Sequence, residues 1–158
     1  MKLASCTYYS LRMLAYVATQ GRHRPTIAQA AESLGISESH LKKVVILLGQ
    51  HGYLANLRGR NGGLCLAKAA RDIVIGSVVR VIEQATTFGN QPSVSDQSAS
   101  GVRQQGRIHE ILNRATEAFY GQLDEFNIAD ISSANEMLGC VESNLAMIFA
   151  HVGFEAVS

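Results

Sequence analysis

The sequence predicts a mainly α-helical protein with one small β-hairpin and a long helix in its second half. Three observations predict this fold class. Apolar residues recur at three- and four-residue spacing in several segments, which is the helical period. Two short apolar stretches flank the pair Asn61-Gly62, and both residues of that pair tolerate the positive φ that tight hairpin turns require. A polar stretch, residues 86–106, precedes the long helix and is rich in Gln, Ser and Gly, which predicts a loop.

Three short helices are predicted in the first third of the chain. The second can be capped by Thr26, with Gln29 three residues later completing a capping-box pattern, and it ends at Gly35. Ser37 is the predicted cap of the third, so the turn between the second and third helices is short. The three helices are expected at residues 7–20, 26–34 and 37–51.

The hairpin and the later helices follow from the same patterns. Strands are expected at residues 53–57 and 63–67, with a connection at 58–62. A fourth helix opens at Ile73 and continues to about Ala85. The long helix follows the polar loop, and a last amphipathic helix, interrupted by Gly139, is expected in the tail. The predicted organisation is an N-terminal domain at 1–85, a flexible loop at 86–106, a long helix and turn at 107–131, and a helical tail at 132–158.

Composition indicates an ordinary globular protein of 158 residues, with 47% hydrophobic and 17% charged residues. No apolar run approaches the roughly 18 residues that a membrane-spanning helix needs. Polar residues interrupt the N-terminus before a signal-peptide stretch can form, so a cytoplasmic location without membrane contact is expected. The cysteines, Cys6, Cys65 and Cys140, are odd in number and widely spaced, which favours reduced thiols over disulfides.

The charge is distributed unevenly along the chain. The net charge is only +1, yet residues 1–72 carry ten Lys or Arg against three acids, and residues 73–158 carry four against ten. A basic half joined to an acidic half is expected when one part of a protein faces phosphate and the other does not.

The second and third helices, with the turn Gly35-Ile36-Ser37, form a helix-turn-helix pattern, and the hairpin adds a wing. In that motif the second helix lies in the major groove of DNA, and a glycine-containing hairpin tip can approach phosphate or the minor groove. Crossed amphipathic helices also occur in many bundles, and exposed lysines often serve only solubility, but the wing and the basic charge favour DNA binding. The candidate DNA-contacting residues are Ser37, Ser39, His40, Lys42 and Lys43 in the third helix and Arg58, Gly59, Arg60, Asn61 and Gly62 in the wing.

Several motifs of this chain occur together in one known family. They are Met1-Lys2-Leu3, Gly35-Ile36-Ser37 with Leu41, Gly52-Tyr53-Leu54, the wing Leu57-Arg58-Gly59-Arg60-Asn61-Gly62-Gly63-Leu64-Cys65-Leu66-Ala67, Ile75-Gly76-Ser77-Val78-Val79, and Leu123-Asp124-Glu125-Phe126-Asn127-Ile128-Ala129-Asp130-Ile131. On these motifs the chain resembles the IscR/NsrR (Rrf2) family of winged helix-turn-helix transcriptional regulators over about residues 1–131. The Arg-Gly-x-x-Gly-Gly wing is the most specific of them.

The resemblance implies a homodimer that binds a pseudo-palindromic operator in double-stranded DNA, with repression as the expected outcome. The subunits would pair through a helix that starts near Val102, and the apolar face of that helix supplies the candidate interface residues. These are Ile108, Ile111, Leu112, Ala115, Phe119 and Leu123.

The chain departs from family members that hold an iron-sulfur cluster. Those members supply three cysteines from the loop before the dimerisation helix, and residues 86–106 contain none. Serine is a poor substitute because an alcohol stays protonated near neutral pH. His109 lies where one branch of the family has a histidine ligand, and Tyr8 stands near the position of an acidic ligand in another. We therefore expect no cluster, no other cofactor and no metal.

Other functions remain open alternatives. Cys6 or Cys65 would act as a thiol sensor if exposed and of lowered pKa, although Cys65, between Leu64 and Leu66, also fits a small strand residue. An unidentified effector or a partner protein would act on the loop or the tail, and a winged helix can serve as a protein-interaction module. The sequence lacks a His-x-x-x-His or Cys-x-x-Cys pair, a Gly-x-Ser-x-Gly motif and a phosphate-binding glycine loop, so an enzyme is not expected.

Overall fold

The computed structural model describes residues 3–59, 62–87 and 99–132, with residues 99–106 described by their backbone alone. The described chain is mainly helical with a two-stranded antiparallel hairpin, which confirms the predicted fold class. The expected tail helix and Cys140 lie outside the described residues. The elements in chain order are α1 Ser5–Thr19, α2 Ile27–Leu34, α3 Glu38–Gln50, β1 Leu54–Leu57, β2 Gly63–Leu66, a 3-10 turn Ala70–Asp72, α4 Ile75–Thr87 and α5 Ala99–Leu123.

Local capping fixes the turn between α2 and α3. The Thr26 hydroxyl accepts a hydrogen bond from the backbone N–H of Gln29 at 3.2 Å, and the Gln29 side chain accepts one from the Thr26 backbone N–H at 2.8 Å. Gly35 ends α2 in the left-handed conformation, with φ of 63°. Ser37 then caps α3 by accepting from the His40 backbone N–H at 3.4 Å. The predicted capping box and both caps are therefore confirmed, and they set the crossing of the two helices.

The core lies between α1, α3 and α4 and is closed by the hairpin and by the end of α5. Leu64 of β2 is almost fully buried, and its backbone N–H donates to the Pro25 carbonyl at 2.9 Å, which ties the hairpin to the segment before α2. The largest fully buried side chains are Leu11, Met13, Leu14, Leu41, Leu48, Leu64, Ile73, Ile75, Ile82, Leu123 and Ile128.

The C-terminal end of α5 is fastened to α4. The Arg80 guanidinium donates two hydrogen bonds to the Asp124 carboxylate, at 2.8 and 2.7 Å, and lies 4.7 Å from the centre of the Tyr120 ring. Beyond the helix, the Ile128 backbone N–H donates to the Ile73 carbonyl at 2.9 Å. A bidentate arginine–carboxylate pair restricts the relative orientation of the two side chains and also stabilises their contact. The long helix is therefore joined to the N-terminal domain at a defined angle.

A long-range contact caps the start of α1. The residue before the helix is Ala4, whose side chain cannot cap. The Glu83 carboxylate in α4 accepts hydrogen bonds instead, from the Ala4 backbone N–H at 2.9 Å and from the buried Thr7 hydroxyl at 2.5 Å. An acid at this end of a helix is favourable because free N–H groups and the positive end of the helix dipole meet there. No local sequence pattern predicts this role of Glu83, because the two segments are far apart in the chain.

Several helix boundaries differ from the predicted ones, most clearly those of α4 and α5. α4 begins at Ile75 instead of Ile73, because Ile73 is extended and its carbonyl pairs with residue 128. It continues to Thr87, where the Thr86 hydroxyl bonds back to the Ile82 carbonyl at 2.9 Å. α5 begins at Ala99, inside the predicted loop, because the Val-Arg-Gln-Gln run beyond Gly101 consists mostly of good helix formers. Of that loop, residues 88–98 lie outside the described part.

Candidate nucleic-acid interface

The two faces of α3 differ sharply in burial. Leu41, Val44, Val45 and Leu48 point into the core, whereas Ser39, Lys42, Lys43 and Ile46 are exposed. Residues three and four apart lie on the same side of a helix, so the exposed set forms one continuous surface. We call Ser39, Lys42, Lys43 and Ile46 the outer face of α3.

The N-terminal turn of α3 carries a small hydrogen-bonded cluster. The Ser37 hydroxyl lies 2.9 Å from Nδ1 of His40 and 3.2 Å from the Ser39 hydroxyl. The His40 ring also lies 6.1 Å from the ring of Tyr9 in α1. All three predicted polar residues are exposed, and their mutual bonds fix the direction in which the histidine ring stands. Tyr9 is a further residue of this surface, and nothing in the sequence pattern singled it out.

An acidic residue shares the lysine-bearing surface. Glu38 forms an ion pair with Lys42 one helical turn later, at 2.8 Å, and both side chains are about half exposed, 49% and 59%. Exposed pairs of this spacing contribute only a few tenths of a kcal/mol. The pair therefore holds the Lys42 ammonium group loosely and places a negative charge beside any bound phosphate.

The wing is built on the pairing of Leu54 with Leu66 through Leu57 with Gly63. Arg58 and Gly59 leave β1 exposed to solvent, and the Gly62 N–H donates to the Gly59 carbonyl at 2.9 Å. Arg60 and Asn61, which the sequence places at the tip, lie outside the described residues. The connection therefore leaves β1 through an exposed arginine followed by a glycine.

The conformational reason given for the Asn61-Gly62 pair is wrong for Gly62. In the described part of the wing the residues with positive φ are Gly59, at 105°, and Gly63, at 140°. Gly62 is needed for space instead, since a Cβ there would collide with the carbonyl oxygens of Leu57 and Gly59. The hairpin turn is thus a five-residue connection, longer than the two-residue turn that an Asn-Gly pair most often forms.

Further cations lie beside the wing. Arg22 and Arg24 are exposed in the segment between α1 and α2, and the Arg24 backbone packs against Gly63 at the base of β2. Neither arginine was predicted as a DNA-contacting residue, because both lie outside the helix-turn-helix and the wing. The contact at Gly63 places the Arg24 backbone beside the base of the wing.

Two of the three cysteines, Cys6 and Cys65, lie in the described part of the chain. Cys6 is half-buried in α1, and this burial raises the pKa of its thiol, which reduces the thiolate fraction at neutral pH. Cys65 is half-buried in β2, with Sγ 3.7 Å from the Ala55 carbonyl oxygen. A thiol sensor needs an exposed thiol of lowered pKa, and Cys6 has neither property.

The donor set does not fit an iron-sulfur cluster. Cys6 and Cys65 lie on different elements, α1 and β2, and the predicted loop supplies no thiolate. Within residues 3–59, 62–87 and 107–132, no three His, Cys, Asp or Glu side chains come together as metal ligands. His109 is exposed on α5, and Tyr8 lies half-buried on α1.

Among the residues that the structure describes, no helix is both long and apolar enough to cross a membrane.

The long helix carries an apolar stripe that is exposed among the residues that the structure describes. Ile108, Ile111 and Leu112 are 54%, 57% and 59% exposed, Ala115 is exposed, and Phe119 is half-buried. Leu123, which the sequence grouped with them, is fully buried in the core of its own chain because the end of α5 packs on α4. In the described part of the chain the exposed stripe therefore consists of Ile108, Ile111, Leu112 and Ala115, and Phe119 lies half-buried at its end.

Residues 3–134 match the sequence profile of the family described as Rrf2, iron-dependent transcriptional regulator. The HTH-type transcriptional regulator NsrR of Geobacillus kaustophilus (strain HTA426) is 38% identical over 139 residues, which span 83% of this chain and 89% of that protein. Both matches cover the helix-turn-helix, the wing and the long helix.

Solved structures show the same fold. IscR of T. potens aligns with a TM-score of 0.65 at 22% identity, covering 87% of this chain and 91% of that one. CymR of B. subtilis, described as the global cysteine regulator, aligns with a TM-score of 0.63 at 22% identity, covering 85% and 98%.

Proposed function

The chain belongs to the Rrf2 family of transcriptional regulators, and on that premise we propose that it binds a pseudo-palindromic operator as a homodimer and represses transcription. The observation that carries the proposal is the outer face of α3, which joins small polar groups and two lysines on one exposed helix surface next to an arginine-bearing wing. Repression would follow from blocking access of the polymerase to the promoter.

The outer face of α3 has the composition that base reading needs. Ser39 is short enough to let the helix backbone approach the base edges, and Lys43 can donate to the O6 and N7 acceptors of guanine. His40, held by Ser37, presents a ring nitrogen with a fixed direction. The wing residue Arg58 would bind the phosphate strand beside the groove, where it adds affinity without sequence information.

The apolar stripe on α5 supports pairing with a second copy of the chain. Three large hydrophobic side chains more than half exposed on one face of a helix are costly to leave in water. Two copies packed along this stripe would set their α3 helices into successive major grooves, about 34 Å apart. Because the donor set does not fit a cluster, we propose that this regulator works without iron.

Replacing Arg58 with alanine is expected to weaken binding to operator and random DNA by the same factor, since phosphate contacts do not depend on sequence. The slope of log affinity against log salt concentration should fall in magnitude by about 0.9 per subunit. Ser39→Ala, His40→Ala and Lys43→Ala should instead reduce the preference for the operator, by about 1 to 3 kcal/mol per lost base contact. Fluorescence anisotropy with both DNAs at several salt concentrations separates the two outcomes.

This division of roles would be contradicted if the α3 variants, like Arg58→Ala, lost the same affinity for operator and for random DNA. Binding that does not weaken with salt would contradict the phosphate contacts, and the absence of any DNA binding would favour a protein-interaction module.

Replacing Glu38 with glutamine is expected to strengthen binding to random DNA by about two- to fivefold at low salt. The change removes a negative charge from the phosphate-facing surface and releases Lys42 from its 2.8 Å ion pair. The gain should vanish as salt is raised, because exposed charges are screened. Glu32→Gln, an exposed acid on α2, is the matched control and should leave the affinity nearly unchanged. Weaker binding of Glu38→Gln to every DNA would contradict the assignment.

A further inference from the structure

Ile46 stands out among the exposed residues of the DNA-binding domain. Its side chain is 61% exposed, more than any other large hydrophobic residue that the structure describes. It lies on the outer face of α3, three residues after Lys43 and four after Lys42, and therefore on the surface that we propose enters the major groove. The proposed subunit interface is on α5, so dimerisation does not account for this side chain.

Neither packing nor helix formation explains an isoleucine at this position. The buried stripe of α3, which holds Leu41, Val44, Val45 and Leu48, is complete without it. A β-branched residue also has a lower helix propensity than the Lys, Gln, Glu or Ala that usually occupy exposed helix positions. Isoleucine at this position therefore slightly lowers the stability of the free protein. This points to a contact that the side chain makes when the protein binds DNA.

The major groove offers one apolar group for such a contact. Each base edge there presents hydrogen-bond donors or acceptors, and thymine alone adds a methyl group, at C5. The lysines beside Ile46 can contact phosphates or base acceptors of the DNA. The branched aliphatic side chain of Ile46 can pack against the thymine methyl group. The helix rise of 1.5 Å per residue places Ile46 about 4.5 to 6 Å beyond the two lysines along the helix axis.

We propose that Ile46 is a specificity-determining residue that packs against the C5 methyl group of a thymine in each operator half-site. The proposal rests on the proposed function, because it needs the outer face of α3 to lie in the major groove. It adds an apolar reading element to the polar contacts of Ser39, His40 and Lys43, and it selects an A·T pair at one position.

Single-atom changes in the DNA test the proposal directly. The full chain is first used to select bound fragments of genomic DNA, and each thymine of the resulting operator is then replaced by deoxyuridine, which removes the methyl group alone. For the wild-type protein we expect a loss of about three- to tenfold in affinity at one position per half-site, the size expected for a buried methyl group. For Ile46→Ala the same dT→dU change should have no effect.

Leu57→Ala is the matched control, since Leu57 is a large hydrophobic residue of the same domain, 42% exposed, on β1. It should keep the full difference between dT and dU. The urea unfolding midpoint of Ile46→Ala should equal or slightly exceed that of wild type, because the side chain contributes little to the core and alanine favours the helix more than isoleucine.

The outcomes separate this proposal from the one on which it rests. If the wild-type protein selects no sequence, the proposed function fails and the role of Ile46 fails with it. If an operator is bound but no dT→dU change weakens binding, or if the loss persists in Ile46→Ala, the methyl contact is overturned while operator binding stands. Loss of the dT–dU difference in Leu57→Ala would assign the contact to the wing and would equally overturn it.

Discussion

Replacement of Ile111 by glutamate is expected to separate the two subunits and to weaken operator binding by about two to four orders of magnitude. Ile111 lies in the middle of the apolar stripe of α5 and is 57% exposed in the single chain. The new carboxylate would be buried without a partner if the subunits paired, which is strongly unfavourable. Each subunit would then bind one half-site alone and lose the gain that linkage to the second half-site provides.

Analytical ultracentrifugation and operator titration of the same samples measure both effects. Asn113→Glu is the matched control, because it adds the same charge on the opposite side of α5, at an exposed position. It should remain a dimer with unchanged affinity. Binding to an isolated half-site should be equal for Ile111→Glu and wild type, which shows that the DNA-binding domain is intact. A dimer of Ile111→Glu with wild-type operator affinity would rule out the stripe as the interface.

The attachment of α5 to the rest of the chain would determine which spacing between operator half-sites such a dimer prefers. Leu123 is buried in the domain core, and Asp124 is held by two hydrogen bonds from Arg80. The pairing stripe and the anchored end are thus consecutive parts of one helix. The spacing of the two recognition helices would be fixed by a rigid element, and half-sites one helical turn apart would be preferred over other spacings.

Local signals made much of the fold predictable from the sequence. The box of Thr26 with Gln29, the Gly35 stop and the Ser37 cap depend on residues within four positions of one another, and all are found as predicted. The contacts that sequence analysis missed join distant segments. Glu83 caps a helix that begins 78 residues earlier, and Leu123 is buried by packing that a helical period does not show.

In the candidate site, too, features set by local sequence were predictable and contacts between distant segments were not. The exposed and buried sides of α3 are set by its own periodicity, so Ser39, Lys42 and Lys43 were predictable as surface residues. The Glu38–Lys42 ion pair was also within reach, since the two residues are four apart. Tyr9 beside His40 was not, because that contact needs the crossing of α1 and α3.

Gly63→Ala is expected to destabilise the protein by about 2 to 4 kcal/mol. Gly63 has a φ of 140°, which side chains other than hydrogen rarely tolerate, and a Cβ there would collide with the carbonyl group of Arg24. The neighbouring segment has little freedom to move away, because the Leu64 N–H is bonded to the Pro25 carbonyl at 2.9 Å and the Leu64 side chain is in the core. Urea unfolding followed by circular dichroism measures the loss.

Gly21→Ala provides the comparison that separates steric collision from backbone strain. Gly21 also has a positive φ, 57°, but a Cβ there would meet no atom within 4 Å. Its replacement should cost only about 1 kcal/mol. The excess loss in Gly63→Ala then reflects the collision with Arg24 together with the greater backbone strain at a φ of 140°. Because that closeness holds the strand leading out of the wing, folded Gly63→Ala should also bind all DNA more weakly, as Arg58→Ala does, whereas Gly21→Ala should not. Equal stability of the two variants would show that the hairpin is free to move away from Arg24, and the wing would then lack the fixed position that a phosphate contact requires.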